Sequence, residues 1–142
     1  MDANGPNKPT AAIGLTGYAL SKTKIQLNWS DNPNPAYEET AFEIYRSLAS
    51  GEDYVLAGIT GANVLSFQDS LLNPNTDYHY IIRAVNESGA APVSTEAKVR
   101  TLVDNIAPTA PLNLTLMSKT PNTITLSWDE STDDVGVYKY DV

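Results

Sequence analysis

The densest run of chemically capable side chains is Asp129-Glu-Ser-Thr-Asp-Asp134. Asp129, Glu130, Asp133 and Asp134 supply the hard oxygen ligands that calcium takes on a flexible loop, and Asp104 stands upstream where it could approach them. Their spacing does not follow the EF-hand pattern, so a solvated acidic turn competes with a cation site. Paired carboxylates can also hydrolyse a glycosidic bond. The eligible acids, Glu38, Glu39 and Glu43, lie in or beside a loop with no pocket signal. His79, the only histidine, has no nucleophile placed beside it and reads as a solvated strand residue. Sugar sites need exposed aromatic platforms, and Tyr37, Tyr45 and Tyr54 are scattered rings rather than a platform. No Gly-x-Ser-x-Gly and no Gly-rich phosphate loop occur. With no cysteine, thiol catalysis, Cys-ligated zinc and disulfides are excluded. No catalytic constellation can be assembled, and calcium is the only cofactor with a candidate site.

The elements that would position these groups are strands. Leu72-Asn-Pro-Asn-Thr76 reads as a corner, because Pro74 cannot donate to a ladder. Tyr78, Tyr80, Ile82 and Ala84 then recur at period two, while Asp77, His79, Ile81, Arg83 and Val85 take the other, mostly polar face. A tyrosine just after such a corner fits a ring packed inward with its hydroxyl bonded back to the backbone. Further strands are predicted at 11–20, 24–30, 42–47, 54–60, 64–69 and 94–101, with a hairpin loop at 86–92 and a Pro-containing stop at 31–35. One row holds Ile25, Leu27 and Trp29 and another, inward, Phe42 and Ile44, while Leu65 and Phe67 share one face of their strand. Short strands at this spacing, without helical periodicity, predict an all-β antiparallel sandwich.

The chain has 142 residues and a formal net charge of −8, with 17 acids against 9 bases. That balance repels polyanions, so nucleic acid is excluded as a partner. No apolar run is long enough for a membrane span, and the first residues lack the basic start and apolar middle of a signal peptide. Residues 1–10 are expected to be a flexible leader, 11–102 a complete module and 103–110 a Pro-containing linker. Residues 111–142 then repeat the opening of the first module: Ile124-Thr-Leu-Ser-Trp128 matches Ile25-Gln-Leu-Asn-Trp29, and Tyr140-Asp-Val142 matches Phe42-Glu-Ile44. The corner and later strands have no second copy here. A remnant of that size exposes its inner face and is expected to be disordered, to pack on something, or to exchange strands with a second chain.

The pattern Leu72-x-Pro74-x-Thr76-x-Tyr78-x-Tyr80-x-Ile82-x-Ala84-Val-Asn86, with Trp29 on an earlier strand, resembles a fibronectin type III domain. Phe42-Glu-Ile-Tyr-Arg-Ser47, the Pro108 and Pro111 linker and Asp133-Asp-Val-Gly-Val137 look like bacterial secreted members of that family. The resemblance implies a seven-stranded, immunoglobulin-like Greek-key sandwich, one complete copy followed by the first third of another. Trp29, Phe42, Ile44, Phe67, Leu72, Pro74, Tyr78, Tyr80 and Ile82 would be its structural residues. It also implies a non-catalytic spacer in a larger secreted or cell-surface protein, such as a polysaccharide-degrading enzyme. The alternative is a carbohydrate- or protein-binding adhesion module. Partners would be neighbouring domains of the parent chain, a polysaccharide or a surface protein, with dimerisation or strand exchange through 111–142.

Overall fold

The computed structural model describes residues 7–31 and 37–142. Part of the expected leader and most of the stop at 31–35 lie outside the described residues. Among those described there are ten β-strands and no α-helix. The chain divides into two compact units, Met1–Val103 and Asp104–Val142.

The first unit pairs two antiparallel sheets. One has the order β1 (Ile13–Ala19), β2 (Ile25–Ser30), β5 (Ser66–Asp69). The other has the order β4 (Val55–Gly61), β3 (Ala41–Ser47), β6 (Asp77–Asn86), followed by β7 (Gly89–Ala90), with β8 (Ala97–Arg100) also paired to β6. The alternation of β2, β3 and β6 explains the layering. Ile25, Leu27, Phe42, Ile44, Tyr80, Ile82 and Ala84 are all fully buried, and their inward rows close over one another. Removing these side chains from water is the main force holding the sheets together. Trp29 is buried and meets Phe42 edge-on, with ring centroids 5.5 Å apart. Phe67 is only half-buried at the margin of that core. Leu65, expected to share a face with Phe67, is exposed: it lies just ahead of β5, which starts at Ser66, with its carbonyl accepting from the Trp29 amide at 3.1 Å. Of the leader, Pro9 is buried, and the Asn7 carbonyl accepts from the Asn86 side chain at 2.7 Å.

The corner before β6 is closed by hydrogen bonds. The Tyr78 hydroxyl accepts from the Asn73 amide at 2.9 Å. Thr101 reaches across, donating to the Asn73 carbonyl at 2.6 Å while accepting from the Thr76 amide at 3.0 Å. Pro74 lacks the amide that would have competed, and Asn75 absorbs the turn at φ 48°. These bonds aim the β6 register, Ile44↔Ile82 and Phe42↔Ala84, so that every even-numbered residue from Tyr78 to Ala84 points inward.

The second unit is a hairpin of β9 (Leu112–Lys119) and β10 (Ile124–Asp129), with Leu126 opposite Leu116. Thr109 is tied to Thr132 through its amide at 2.9 Å. Leu112, Leu114, Leu116 and Ile124 are all exposed within this unit. Trp128 meets Tyr140 at 5.4 Å, the counterpart of the Trp29–Phe42 pair.

Candidate functional site

The polar side chains of the first unit are held in three networks. The first crosses between sheets. Arg46 on β3 places Nη1 2.9 and 2.8 Å from the two carboxylate oxygens of Asp69 on β5, and the Tyr80 hydroxyl on β6 donates to Asp69 at 2.8 Å. Asp69 and Tyr80 are buried, and the Arg46 guanidinium also lies over the Tyr78 ring at 5.6 Å. Burial, with the Asp69 charge added, pushes the Tyr80 hydroxyl pKa upward and keeps it a donor.

The second network explains His79. This residue is not solvated as its alternating position suggested; it is 8% exposed. The reason is Glu96, whose carboxylate sits 2.8 Å from His79 Nδ1 and also accepts from Ser50, the Gly51 amide and Tyr54. The Ser50–Tyr54 turn is thereby drawn over β6. The Tyr54 hydroxyl first, then His79, hold the Glu96 carboxyl down at about pKa 2. The Glu96 carboxylate thus gathers the Ser50 and Tyr54 hydroxyls, the Gly51 amide and His79 Nδ1 into one network.

In the third network Arg83 donates to Glu43 at 2.8 Å and lies over the Tyr45 ring at 5.3 Å, while the Tyr45 hydroxyl donates to Glu43. Arg83 and then Tyr45 lower the Glu43 pKa. Glu39 is buried and accepts from the Asn63 amide at 3.3 Å, capping the turn after β4. Glu38, Glu39 and Glu43 are thus not convergent acids: Glu39 and Glu43 each serve a separate local contact, and Glu38 is exposed beside Asn86. The three rings are equally dispersed. Tyr45 has one face under a guanidinium, the Tyr54 hydroxyl is committed to Glu96, and Tyr37 stands exposed on its loop.

Within the second unit, Asp104, Asp133 and Asp134 bring carboxylate oxygens within 4.8 Å of one another. Asp133 Oδ1 also accepts from the Val135 and Gly136 amides at 2.8 and 2.9 Å. Asp129 lies apart on β10, accepting from the Asn113 side chain at 2.6 Å, and Glu130 is outside the group. Calcium takes about six to eight oxygens, so with one oxygen from each carboxylate the group supplies at most about half of a coordination shell.

Sequence reasoning missed Arg46, Asp69 and Glu96. The first two had a signal. Arg46 has the parity of inward Phe42 and Ile44, and Asp69 that of Phe67, so two opposite charges fall on facing inner rows. Glu96 had none, since its partners come from four other positions that the fold alone brings together.

A cleft of about 480 Å³ opens beside the first network, lined by Leu48, Asp53, Val55, Leu71, Arg46 and Tyr78 among others. No described helix is long and apolar enough to cross a membrane.

No family model matches the sequence. Among curated proteins, chitinase A1 of Niallia circulans is 38% identical over 152 aligned residues, spanning 100% of this chain but 19% of that protein. Exoglucanase B of Cellulomonas fimi is 29% identical over 135 residues, 90% of this chain and 11% of the relative. Exoglucanase A of the same organism is 30% identical across 90% of this chain and 14% of its own length. The chain therefore covers less than a fifth of each of these relatives. Among solved structures, the sixth fibronectin type III domain of human fibronectin type III domain containing protein 3 superposes with TM-score 0.61 at 19% identity, covering 76% of this chain and 99% of that one. A Fn3-like protein from Clostridium thermocellum gives TM-score 0.54 at 22% identity, covering 67% and 95%. With its paired sheets, its buried tryptophan and its tyrosine closing the corner before β6, this chain has the fibronectin type III fold.

Proposed function

We propose that this chain is a non-catalytic module of a larger secreted polysaccharide-degrading enzyme, where it spaces and orients neighbouring domains. One observation carries the reading: the similarity to an exoglucanase and a chitinase covers 90 to 100% of this chain yet spans only 11 to 19% of those proteins. A segment shared by enzymes with different names is better suited to a common scaffold than to either chemistry. The geometry supports the same reading, because Glu43, Asp69, Glu96 and His79 are bonded into networks that stiffen strands. A spacer needs that stiffness more than it needs a pocket. Residues 111–142 belong in this reading as the opening strands of a second such module.

The test is incubation of the purified chain with carboxymethyl cellulose, crystalline cellulose and chitin, assaying both released reducing sugar and retention on the insoluble polymers. Neither release nor retention is expected. Retention abolished by Tyr37→Ala would instead establish the carbohydrate-binding alternative, and sugar release lost in Glu43→Gln would overturn the non-catalytic assignment.

A further inference from the structure

Leu71 is 97% exposed, and its backbone lies at φ 60°. A leucine is strained in that left-handed region, where glycine sits freely. The side chain therefore carries a conformational cost and buries almost nothing in return within this chain. Asp53, an acid that adopts the same left-handed conformation more readily, at φ 55°, lines the same cleft. Strain of this sort persists where function holds it. Leu48 and Val55, 66% and 58% exposed, complete an aliphatic wall. At its inner side the Arg46 charge is matched by Asp69. The charge left over is acidic: neither Asp53 nor its neighbour Glu52 has a basic partner among the described residues.

Val55 also begins β4, the outermost strand of its sheet. Edge strands are commonly protected by charges or proline. The sequence Val-Leu-Ala-Gly-Ile-Thr-Gly of β4 has neither. A register shift opposite Ile44 and Tyr45 kinks it, but Gly58 to Gly61 stay in regular pairing with β3. Among the described residues, no strand pairs with the outer side of that ladder.

We propose that the cleft and the free edge of β4 form one binding site for an extended segment of a partner protein. Main-chain pairing along β4 supplies generic affinity. An aliphatic or aromatic side chain seats beside Leu71, and an adjacent lysine or arginine faces Glu52 and Asp53. A sugar fits this surface poorly. The walls are aliphatic, and the one ring present, Tyr78, is buried beneath Arg46. A second copy of the chain is disfavoured by its net charge of −8. The proposal does not depend on the spacer role.

The experiment pans a random linear peptide library, displayed on phage, against the intact chain, then measures binding of synthesised enriched peptides by fluorescence anisotropy. Enrichment of sequences pairing an apolar residue with lysine or arginine is expected. Their affinity should fall about tenfold in Leu71→Ser, as for a central anchor, and fall by a smaller factor in Asp53→Asn. Leu71→Gly separates binding from folding: it should raise the melting temperature by relieving strain while still weakening binding. The proposal is overturned by the absence of enrichment, by acidic consensus sequences, or by undiminished binding to Leu71→Gly. Displacement by cellohexaose or chitohexaose would overturn it in favour of a glycan. Concentration-dependent dimerisation in sedimentation, lost in Ile59→Lys, would overturn it in favour of a second copy.

Discussion

Asp69→Ala tests the physical account of how two cysteine-free sheets are tied together. Asp69 is 5% exposed and is the shared acceptor for Arg46 and Tyr80. Its removal strands a cation and a hydroxyl at once. Breaking a buried ion pair by deleting one partner costs about 3–5 kcal/mol. Arg46 keeps 29% side-chain exposure and can turn partly to water, which places the loss near the lower end, about 3 kcal/mol. Tyr80 has no such escape, being fully buried. Tyr80→Phe leaves Asp69 still paired to Arg46 and removes one hydrogen bond to a charged group, about 1.5–2 kcal/mol. The double variant should then lose less than the sum, by about 1 kcal/mol, because the hydroxyl that Asp69→Ala strands is no longer there. Urea unfolding followed by circular dichroism gives each free energy. Calorimetry should show Asp69→Ala melting at least about 12 °C lower, at roughly 4 °C per kcal/mol for a domain of this size. A loss under about 1 kcal/mol for Asp69→Ala, or strict additivity with Tyr80→Phe, would refute the idea that this network couples the sheets.

Other perturbations follow from the same coordinates. Tyr78→Phe removes the bond from the Asn73 amide and should cost about 1 kcal/mol with the fold kept; an unchanged melting temperature would remove the corner bond from the account. Gly58→Ala should destabilise by about 1–3 kcal/mol, since a Cβ there would lie 2.5 Å from the Phe67 ring, and Gly58→Ala combined with Phe67→Leu should recover part of the loss. Glu96 is held at about pKa 2 when folded, below an ordinary glutamate. Its contribution is therefore present above the ordinary glutamate range and lost as pH falls toward 2. In acid titration Glu96→Gln should flatten that limb; an identical acid profile would contradict the Glu96 contacts. The exposed leucine face of β9 and β10 should bind the dye ANS, and Leu116→Lys should lower that signal without moving the melting of the first unit.

The strands were legible because their signal is local. Alternation in Ile25–Trp29, Phe42–Ile44 and Tyr78–Ala84 states which side of each strand must leave water, and the β6 bounds, Asp77–Asn86, follow directly from the corner ahead of them. The corner bond was legible for a related reason, since the Asn73 amide and the Tyr78 hydroxyl that close it are close in sequence. The polar chemistry was far less legible. Period-two alternation assigns His79 to the polar face without saying that Glu96 and the Ser50–Tyr54 turn cover it. Among the acids, three carboxylates close to one another in the second unit were within reach of sequence reasoning, but Asp129 was not separable from them by spacing alone.

Composition and periodicity by themselves determined a cysteine-free, acidic, all-β chain with a tryptophan-centred core and a repeated opening, since each follows from residue type and near-neighbour spacing. Only the tertiary structure decided which charges meet. Arg46 and Asp69 are 23 residues apart, and Ser50 and Glu96 are 46 apart. Such contacts depend on which strands become neighbours and in what register, a global outcome of closing one core that no local pattern encodes.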